Sequence, residues 1–306
     1  MSLPTPSSET APAFPESPVS LAELRARAAE LGLDVGAALA VPGEEGERYR
    51  RWVADGFAGA MDYMVRTLEV RADPRVLLPG ARSVVVVAFP YGDGQRRDRP
   101  PPGSARIARY ARSKEYHGVL LDRVRKLRRV FEDPLARAFV DTGPVLEKAW
   151  ARRAGLGWVG KHTHLVSRSL GSWFHLGVIV TRREVEASEP HSDHCGRCTR
   201  CLDACPTGAI RPDRPFRLDA RLCISYLTIE LRGPIPEADR PLLGEWVFGC
   251  DLCVEACPWN RFAVAARDHR LAAEAVAPGW TPEALLDLDT GAFEATFRGT
   301  PVKRAG

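Results

Sequence analysis

The sequence contains no long apolar run and no cysteine before Cys195. A membrane-spanning helix needs about 18 or more consecutive apolar residues, whereas the longest apolar stretches here, near 84–89 and 176–180, have the length of strands. Residues 1–19 are rich in proline, serine and threonine and lack the basic start and apolar centre of a signal peptide. We therefore expect a cytoplasmic protein without a membrane anchor, and we interpret residues 1–19 as a disordered tail.

Lysine is also scarce, because only five of the 43 basic residues are lysines. A genomic preference for arginine codons explains this bias most simply, and the net charge is a modest +4. The charge is uneven, however, since residues 106–132 carry nine basic side chains against three acidic ones. Such a segment is typical either of a solvated helix face or of a surface that contacts phosphates, and charge alone does not separate the two.

The eight cysteines all lie in the C-terminal half of the chain. The first four form the pattern C-x2-C-x2-C-x3-C-P, the last three form C-x2-C-x3-C-P, and one cysteine stands alone between the groups. In two-cluster ferredoxins, the cysteine that precedes proline ligates the other [4Fe–4S] cluster. That rule assigns one cluster to Cys195, Cys198, Cys201 and Cys257, and the other to Cys205, Cys223, Cys250 and Cys253.

Two other uses of cysteine fit this pattern less well. Structural zinc uses separated CxxC pairs rather than a triplet followed by Cys-Pro, and disulfides suit small secreted domains. We therefore predict a ferredoxin-like domain with two [4Fe–4S] clusters over residues 190–262, interrupted by an insertion at 207–249. Residues 20–185 precede it, which is more chain than an electron carrier needs.

The preceding residues predict a mixed α/β domain of the α+β kind. Apolar periodicity indicates the helices and strands of this domain, and a capping box at Ser20 and Pro144 in a first helical turn mark where two of the helices begin. We predict helices at 20–31, 116–131 and 144–154, strands at 83–89, 137–140 and 173–181, and a C-terminal helical segment over 263–306.

Two polar segments are candidates for chemistry. Asp141 follows the predicted strand at 137–140, at the end where the functional residues of α/β sheets tend to lie; the alternative is that it caps the next helix. The segment from Gly155 to His164 is rich in glycine, so its backbone can approach a flat ligand or a phosphate closely. It is neither a Walker loop nor a dinucleotide fingerprint.

Several short motifs accompany the cysteine groups. They are Glu115-Tyr-His117, Asp141-Thr-Gly-Pro-Val-Leu-Glu147, Gly157-Trp-Val-Gly-Lys161-His-Thr163, Gly171-Ser-Trp-Phe174 and Ser225-Tyr-Leu-Thr-Ile-Glu230. Together they resemble the epoxyqueuosine reductase family, over residues 20–306. The resemblance implies a nitroreductase-like domain that holds cobalamin, followed by the two-cluster domain. It also implies reduction of an epoxide to an alkene on the wobble nucleotide of tRNA.

The resemblance further implies roles for individual residues. Asp141 matches the family's proton donor, a general acid, and enclosure between corrin and substrate predicts that its carboxyl holds its proton more tightly than in water. The clusters are expected to reduce the cobalt of the corrin. We interpret His117 as structural rather than as a cobalt ligand. The candidate corrin contacts are Arg66, Tyr110, Tyr116, Asp141, Lys161, His162, Thr163, Ser172 and Ser225, for which a surface charge (Arg66) and core packing (the tyrosines) are the alternatives.

The expected partners follow from the same resemblance. They are the anticodon stem–loop of tRNA and an external electron donor, and we expect a monomer. A stem–loop is held mainly through its phosphates, for which the candidates are Arg106, Arg109, Arg112, Arg125, Arg128 and Arg129. Two other functions stay open: a corrinoid reductive dehalogenase, which would normally carry an export signal, and a non-catalytic ferredoxin-type electron-transfer protein, which would bind clusters but no corrin.

Overall fold

The computed structural model describes residues 17–94, 101–272 and 280–305. These residues form ten strands: β1 Asp34–Leu39, β2 Ser83–Pro90, β3 Arg106–Ile107, β4 Arg137–Phe139, β5 Trp158–Val159, β6 Leu165–Val166, β7 Phe174–Thr181, β8 Ile210–Arg211, β9 Arg214–Leu218 and β10 Trp246–Phe248.

The same ranges contain fourteen α-helices, most of them short. They are α1 Leu21–Glu30, α2 Glu44–Ala54, α3 Asp62–Arg66, α4 Leu68–Ala72, α5 Pro74–Leu77, α6 Tyr116–Arg128, α7 Glu147–Arg153, α8 Arg200–Asp203, α9 Ile224–Ile229, α10 Arg240–Leu243, α11 Leu252–Glu255, α12 Pro282–Leu286, α13 Thr290–Thr296 and α14 Pro301–Ala305. None of the helices in the described ranges has both the length and the apolar character needed to cross a membrane.

An antiparallel sheet of four strands, in the order β1-β2-β7-β4, forms the centre of the residues before the cysteines. Every residue of β2 is buried, which confirms the strand predicted at 83–89. Successive side chains of a strand point to opposite faces. Val85 therefore packs with Leu24 and Leu120 of α1 and α6, and Val84 packs with Trp150 of α7. Helices cover both faces, and this explains the continuous apolar run.

Two of the predicted helices agree with the structure. The Ser20 hydroxyl accepts a hydrogen bond from the Ala22 N–H at 3.2 Å and caps α1. The helix predicted at 116–131 is α6, which continues into a 3₁₀ turn at Arg129–Phe131. Its apolar stripe is buried as predicted, because it faces the central sheet.

Two predictions differ from the structure. The helix expected at 144–154 begins at Glu147, because residues 140–145 form a tight turn in which the Thr142 N–H donates to the Val140 carbonyl and the Val145 N–H to the Gly143 carbonyl. The tail predicted at 1–19 lies mostly outside the described residues, but Val19 does not belong to it. Val19 is 7% exposed, and its N–H donates to the Glu184 carbonyl at 2.9 Å.

The cysteine region is joined to the preceding residues by more than the covalent chain. Strand β3 pairs in parallel with β10, which lies in the predicted insertion at 207–249. The last helices also contact this junction, since Phe297 and Val302 pack with Ile107 and Phe248. Elements distant in sequence thus enclose the space beside the cysteines.

Candidate active site and cluster cysteines

A cavity of about 480 Å³ lies among the central sheet, the cysteine region and the last helices. This volume is within the range of ligand pockets in proteins. Strand β7, helices α6, α7 and α9, and the turn after β4 supply most of its polar wall. The polar and titratable side chains in that wall are those of Tyr91, Tyr110, Tyr116, Asp141, Glu147, Lys148, His164, His175, Cys223, Ser225, Tyr226, Glu230 and Arg304.

Asp141 lies in the turn between β4 and α7 with a left-handed backbone, φ +59°. Aspartate tolerates this conformation better than most residues, and it directs the side chain into the cavity. The Tyr116 hydroxyl donates to Oδ2 of Asp141 at 2.8 Å, and Nε2 of His117 lies 3.2 Å from the same oxygen. The capping alternative is wrong, because Leu146 is the N-cap of α7 and no side chain caps that helix.

The hydrogen bonds determine the charge of Asp141. Burial raises the pKa of Asp141, but hydrogen bonds from His117 and Tyr116 outweigh it and hold the pKa at about 2. Two donors thus stabilise the carboxylate in this structure, in which 62% of the Asp141 side chain is exposed. The tightly held proton expected between corrin and substrate stays a prediction. Burial lowers the pKa of His117, but its hydrogen bonds to Asp141 and Glu115 raise it overall. The pair thus keeps its proton on His117.

Sequence reasoning missed two other titratable groups of the cavity. Oε1 of Glu147 and Nε2 of His175 are buried and have no hydrogen-bond partner among the described residues. Burial raises the pKa of Glu147 to about 7 and lowers the pKa of His175 to about 3, which in each case is a shift toward the neutral form. Glu147 lies within the motif that begins at Asp141, but only its burial beside the cavity indicates a functional role. His175 carried no signal, because a histidine in an apolar strand is usually core.

The cysteine thiols form two groups in space. Burial raises the pKa of Cys257 to about 11, with smaller contributions from its neighbours Cys195, Cys201 and Cys198. Burial also raises the pKa of Cys250 to about 12, and here the contributing thiols are those of Cys223 and Cys205. Cys253 belongs to this second group, since burial and then the neighbouring thiols of Cys250, Cys223 and Cys205 raise its pKa. The two groups contain the same residues as the two predicted ligand sets.

The state of the eight thiols bears on the alternatives of zinc and disulfides. All eight cysteines lie in the described ranges and are free. Over those same ranges, no three His, Cys, Asp or Glu side chains converge closely enough to hold a single metal ion.

One of the cysteine groups borders the cavity. Cys223 lines the cavity together with Asp141, and Ser225 lies next to the Cys223 thiol, which it contacts through both its backbone and its hydroxyl. The Cys223 thiol of the second set and the Asp141 carboxylate thus face the same space.

The structure gathers some of the candidate corrin contacts and separates others. Tyr110, Tyr116, Asp141 and Ser225 line the cavity. Within the described residues, the other candidates are not part of its lining: they are Arg66, Lys161, His162, Thr163 and Ser172. Their role as corrin contacts stays a prediction.

These other candidates have different surroundings. Nζ of Lys161 donates to the carbonyls of Gly196 at 2.7 Å and Cys198 at 3.0 Å, in the first cysteine loop. His162 is 3% exposed, and burial lowers its pKa to about 4. Arg66 is exposed at the end of α3.

The basic segment is partly structural. Arg109 is 3% exposed, so its prediction as a phosphate contact is wrong. Arg106 pairs with Glu255 at 3.1 Å, and the Arg128 guanidinium donates to a backbone carbonyl at 2.9 Å. Arg125 and Arg129 are exposed on α6 and at its end.

Comparison with known proteins covers most of the chain. The family model described as "Epoxyqueuosine reductase QueG, DUF1730" matches residues 71–142, and that described as "4Fe-4S double cluster binding domain" matches residues 194–260. The second match contains all eight cysteines and confirms the predicted cluster-binding domain. An epoxyqueuosine reductase of Gloeobacter violaceus is 44% identical over 295 residues, which is 92% of this chain and 91% of that protein. One of Synechocystis sp. is 47% identical over 226 residues, 72% of this chain and 76% of that protein.

Solved structures give the same result. A crystal structure of selenomethionine-labelled epoxyqueuosine reductase has a TM-score of 0.82 and 29% identity, and the match covers 93% of this chain and 77% of that one. A crystal structure of epoxyqueuosine reductase with an epoxyqueuosine-modified tRNA-Tyr stem loop has a TM-score of 0.81 and 29% identity, with 92% and 76% covered. The mixed α/β fold followed by a cluster-binding domain agrees with these structures. This chain belongs to the epoxyqueuosine reductase family.

Proposed function

We propose that this chain reduces epoxyqueuosine to queuosine at the wobble position of tRNA. The observation that carries the proposal is that Asp141 and Cys223 line the same cavity. A proton donor and an electron-transfer cluster would then both lie beside the substrate bound in this cavity. In this reaction both C–O bonds of the epoxide break, two electrons and two protons enter, and the oxygen leaves as water.

The chain's own residues would supply the protons. Asp141 would protonate the opening epoxide oxygen as a general acid, although its ionised form is favoured in this structure. His117 solves this difficulty, because its ring nitrogen lies 3.2 Å from the carboxylate and holds a proton more readily than an ordinary histidine. Tyr116 would hold the carboxylate in place during the transfer.

We further propose that the domain is nitroreductase-like and that the cavity holds cobalamin. The residues fit a large ligand with polar edges, since the buried atoms Oε1 of Glu147 and Nε2 of His175 have no partner among the described residues, and amide groups around a corrin would satisfy them. When bound, cobalamin supplies a metal centre that accepts electrons from the clusters and passes them to the substrate. Tyr110, Tyr116 and Ser225 would hold it.

The proposed partners are a tRNA stem–loop and an external electron donor, with the chain acting as a monomer. Arg125 and Arg129 are exposed on the basic segment and are the candidates for phosphate contacts. Binding through phosphates releases counterions, so affinity should fall steeply as salt is added. A salt-independent affinity would contradict this use of the segment.

Anaerobic reconstitution with iron, sulfide and cobalamin, followed by mass spectrometry of nucleosides from tRNA that carries epoxyqueuosine, tests the proposal. We expect loss of one oxygen atom from the modified nucleoside in the presence of a chemical reductant. Asp141→Asn should reduce turnover by about 10²–10⁴-fold and keep the cobalamin absorption. Asp213→Asn, which makes the same change on the exposed turn between β8 and β9, should be fully active.

Each alternative predicts a different result in this assay. Turnover that survives in Asp141→Asn would remove Asp141 from the mechanism. Clusters without any cobalamin absorption would favour the electron-transfer protein. Conversion of a halogenated compound, with tRNA left unchanged, would favour the dehalogenase.

A further inference from the structure

Trp158 is buried beside the first group of cysteines. It is 1% exposed, and its ring contacts those of His194 at 4.9 Å and Trp259 at 5.0 Å, both edge-on. Strand β5 pairs Trp158 with Val166 of β6. The preceding residue must be glycine, because a Cβ at Gly157 would lie 2.1 Å from the Val166 carbonyl oxygen. The indole is therefore enclosed by rings on one side and by a closely packed strand pair on the other.

The indole nitrogen of Trp158 is a buried donor without a partner. Across the described residues, no acceptor meets the geometry of a hydrogen bond to Nε1. An indole N–H only donates, and a buried donor left unsatisfied destabilises the fold. The nitrogen does have a neighbour. That neighbour is the Cys195 sulfur, which lies beside the Trp158 indole N–H and the Lys161 amide. The indole also contacts the ring of His194, the residue before Cys195, at 4.9 Å.

The loop that carries Trp158 is tied to the cysteine loop by a second contact. The Lys161 ammonium donates to the carbonyls of Gly196 and Cys198. These two bonds fix the segment from Gly157 to Lys161 against the loop from Cys195 to Cys198. Two backbone carbonyls and one thiol of the cysteine loop therefore face donors of the glycine-rich loop, which sequence reasoning had associated with the corrin.

We propose that Trp158 is a positioning residue for the [4Fe–4S] cluster of Cys195, Cys198, Cys201 and Cys257, and that its indole N–H donates to the Cys195 sulfur once that sulfur is an iron-bound thiolate. The inference deepens the proposed function and rests on its cluster assignment. A thiolate accepts a hydrogen bond better than a thiol does. Hydrogen bonds to cluster sulfurs stabilise the more negative, reduced state and so help to set the reduction potential.

This bond has a consequence for the order of electron transfer. Cys223 of the second cluster borders the cavity, whereas none of the four cysteines of the first cluster is among the described residues that line it. A donor that raises the potential of the first cluster would favour its reduction by an external donor. Cys223 would then help to hold the cluster that supplies electrons beside the reacting group.

Potentiometric titration of both clusters by electron paramagnetic resonance tests this inference. The reconstituted full chain is compared with Trp158→Phe, which keeps an aromatic ring and removes the donor. Trp259→Phe is the matched control, because it removes a second indole from the same aromatic group, while its backbone N–H still faces Cys257. We expect Trp158→Phe to lower the midpoint potential of one cluster and leave the other unchanged. Trp259→Phe should shift neither.

Three outcomes would overturn the inference. They are an unchanged potential in Trp158→Phe with full iron content, an equal shift in both variants, and a shift of the cluster that is lost on Cys223→Ala. Iron and sulfide analysis separates these from failure of the proposed function, which would show as protein without clusters. If Trp158→Phe does not fold, pulsed resonance on unsubstituted protein with ¹⁵N-labelled indoles decides. The same measurement on labelled Trp259→Phe removes the other nearby indole. A ¹⁵N coupling to the reduced cluster that persists in this variant supports the hydrogen bond from Trp158, and the absence of any coupling refutes it.

Discussion

The hydroxyl of Tyr116 donates to Oδ2 of Asp141 at 2.8 Å, while the Tyr116 ring stacks on that of His175 at 3.9 Å with an interplanar angle of 5°. Tyr116 of α6 thus holds the Asp141 carboxylate, which follows β4, and His175 of β7 packs on the other face of the Tyr116 ring. The stacking leaves the hydroxyl little freedom, so the hydrogen bond is preorganised. The charge of Asp141 consequently depends on contacts from two distant parts of the chain.

Tyr116→Phe should raise the pKa of Asp141 from about 2 toward its ordinary value, because it removes one of the two donors that stabilise the carboxylate. Titration of carboxyl-labelled aspartate by NMR measures the shift. Tyr110→Phe is the control, since Tyr110 lines the same cavity and meets Tyr116 edge-on at 6.0 Å. An Asp141 pKa that is the same in Tyr116→Phe and in the unsubstituted chain would contradict the assignment.

His117 should make stability depend on pH. Its pKa is raised in the folded protein above the ordinary 6.5 by Asp141 and Glu115, which outweigh burial. A raised pKa contributes stability that is fully present below the unfolded-state value and is lost as the pH rises through the folded-state value. Urea unfolding across this interval should show the loss, and His117→Gln should lack that component. Equal pH slopes for the two proteins would show that His117 is not linked to folding.

Pairs of cysteine substitutions should reveal which thiols share a cluster. Cys223→Ala should lower the iron content from about eight to about four atoms per chain, because one [4Fe–4S] cluster loses a ligand. Adding Cys205→Ala should remove little more iron, since both thiols belong to one spatial group. Adding Cys195→Ala instead should remove nearly all of it. The opposite pattern would mean that the ligand sets are wrongly divided.

Lys161→Met should make the first cluster labile rather than prevent ligand binding in the cavity. The substitution removes two hydrogen bonds from an ammonium to the carbonyls of the cysteine loop, each contributing about 1.5–3 kcal/mol. Iron release to a chelator should be several-fold faster. Lys303→Met is the control, because it breaks only an exposed ion pair with Glu294. Lost cobalamin binding with normal iron release would instead restore Lys161 as a corrin contact.

Gly157→Ala should destabilise the protein by about 1–3 kcal/mol, since the added Cβ meets the Val166 carbonyl oxygen and forces the strand pair apart. Gly118→Ala is the matched control within α6, where a Cβ would meet no atom within 4 Å. There alanine should stabilise by about 0.5–1 kcal/mol through the helix backbone. Denaturant midpoints measure both changes, and a neutral Gly157→Ala would show that β5 and β6 adjust freely.

Local spacing was enough for the sequence to determine several features. Sulfur spacing and Cys-Pro steps predicted both cysteine groups, because a cluster is held largely by ligands close in the chain. Apolar periodicity predicted α6 and β2. The helix buries one apolar stripe against the sheet, and the strand is apolar throughout because helices cover both of its faces. The position of Asp141 at the end of β4 was also predictable, because it depends only on the neighbouring residues in the chain.

Only the tertiary structure decided the environment of those residues. The pKa of Asp141 depends on Tyr116 and His117, and the surroundings of Lys161 depend on a loop more than thirty residues away. Periodicity carries no information about such contacts, because they join segments whose relative orientation is set by packing of the whole chain. The sequence alone therefore determined which chemical groups are present, and the fold decided which of them face one cavity and which support a cluster.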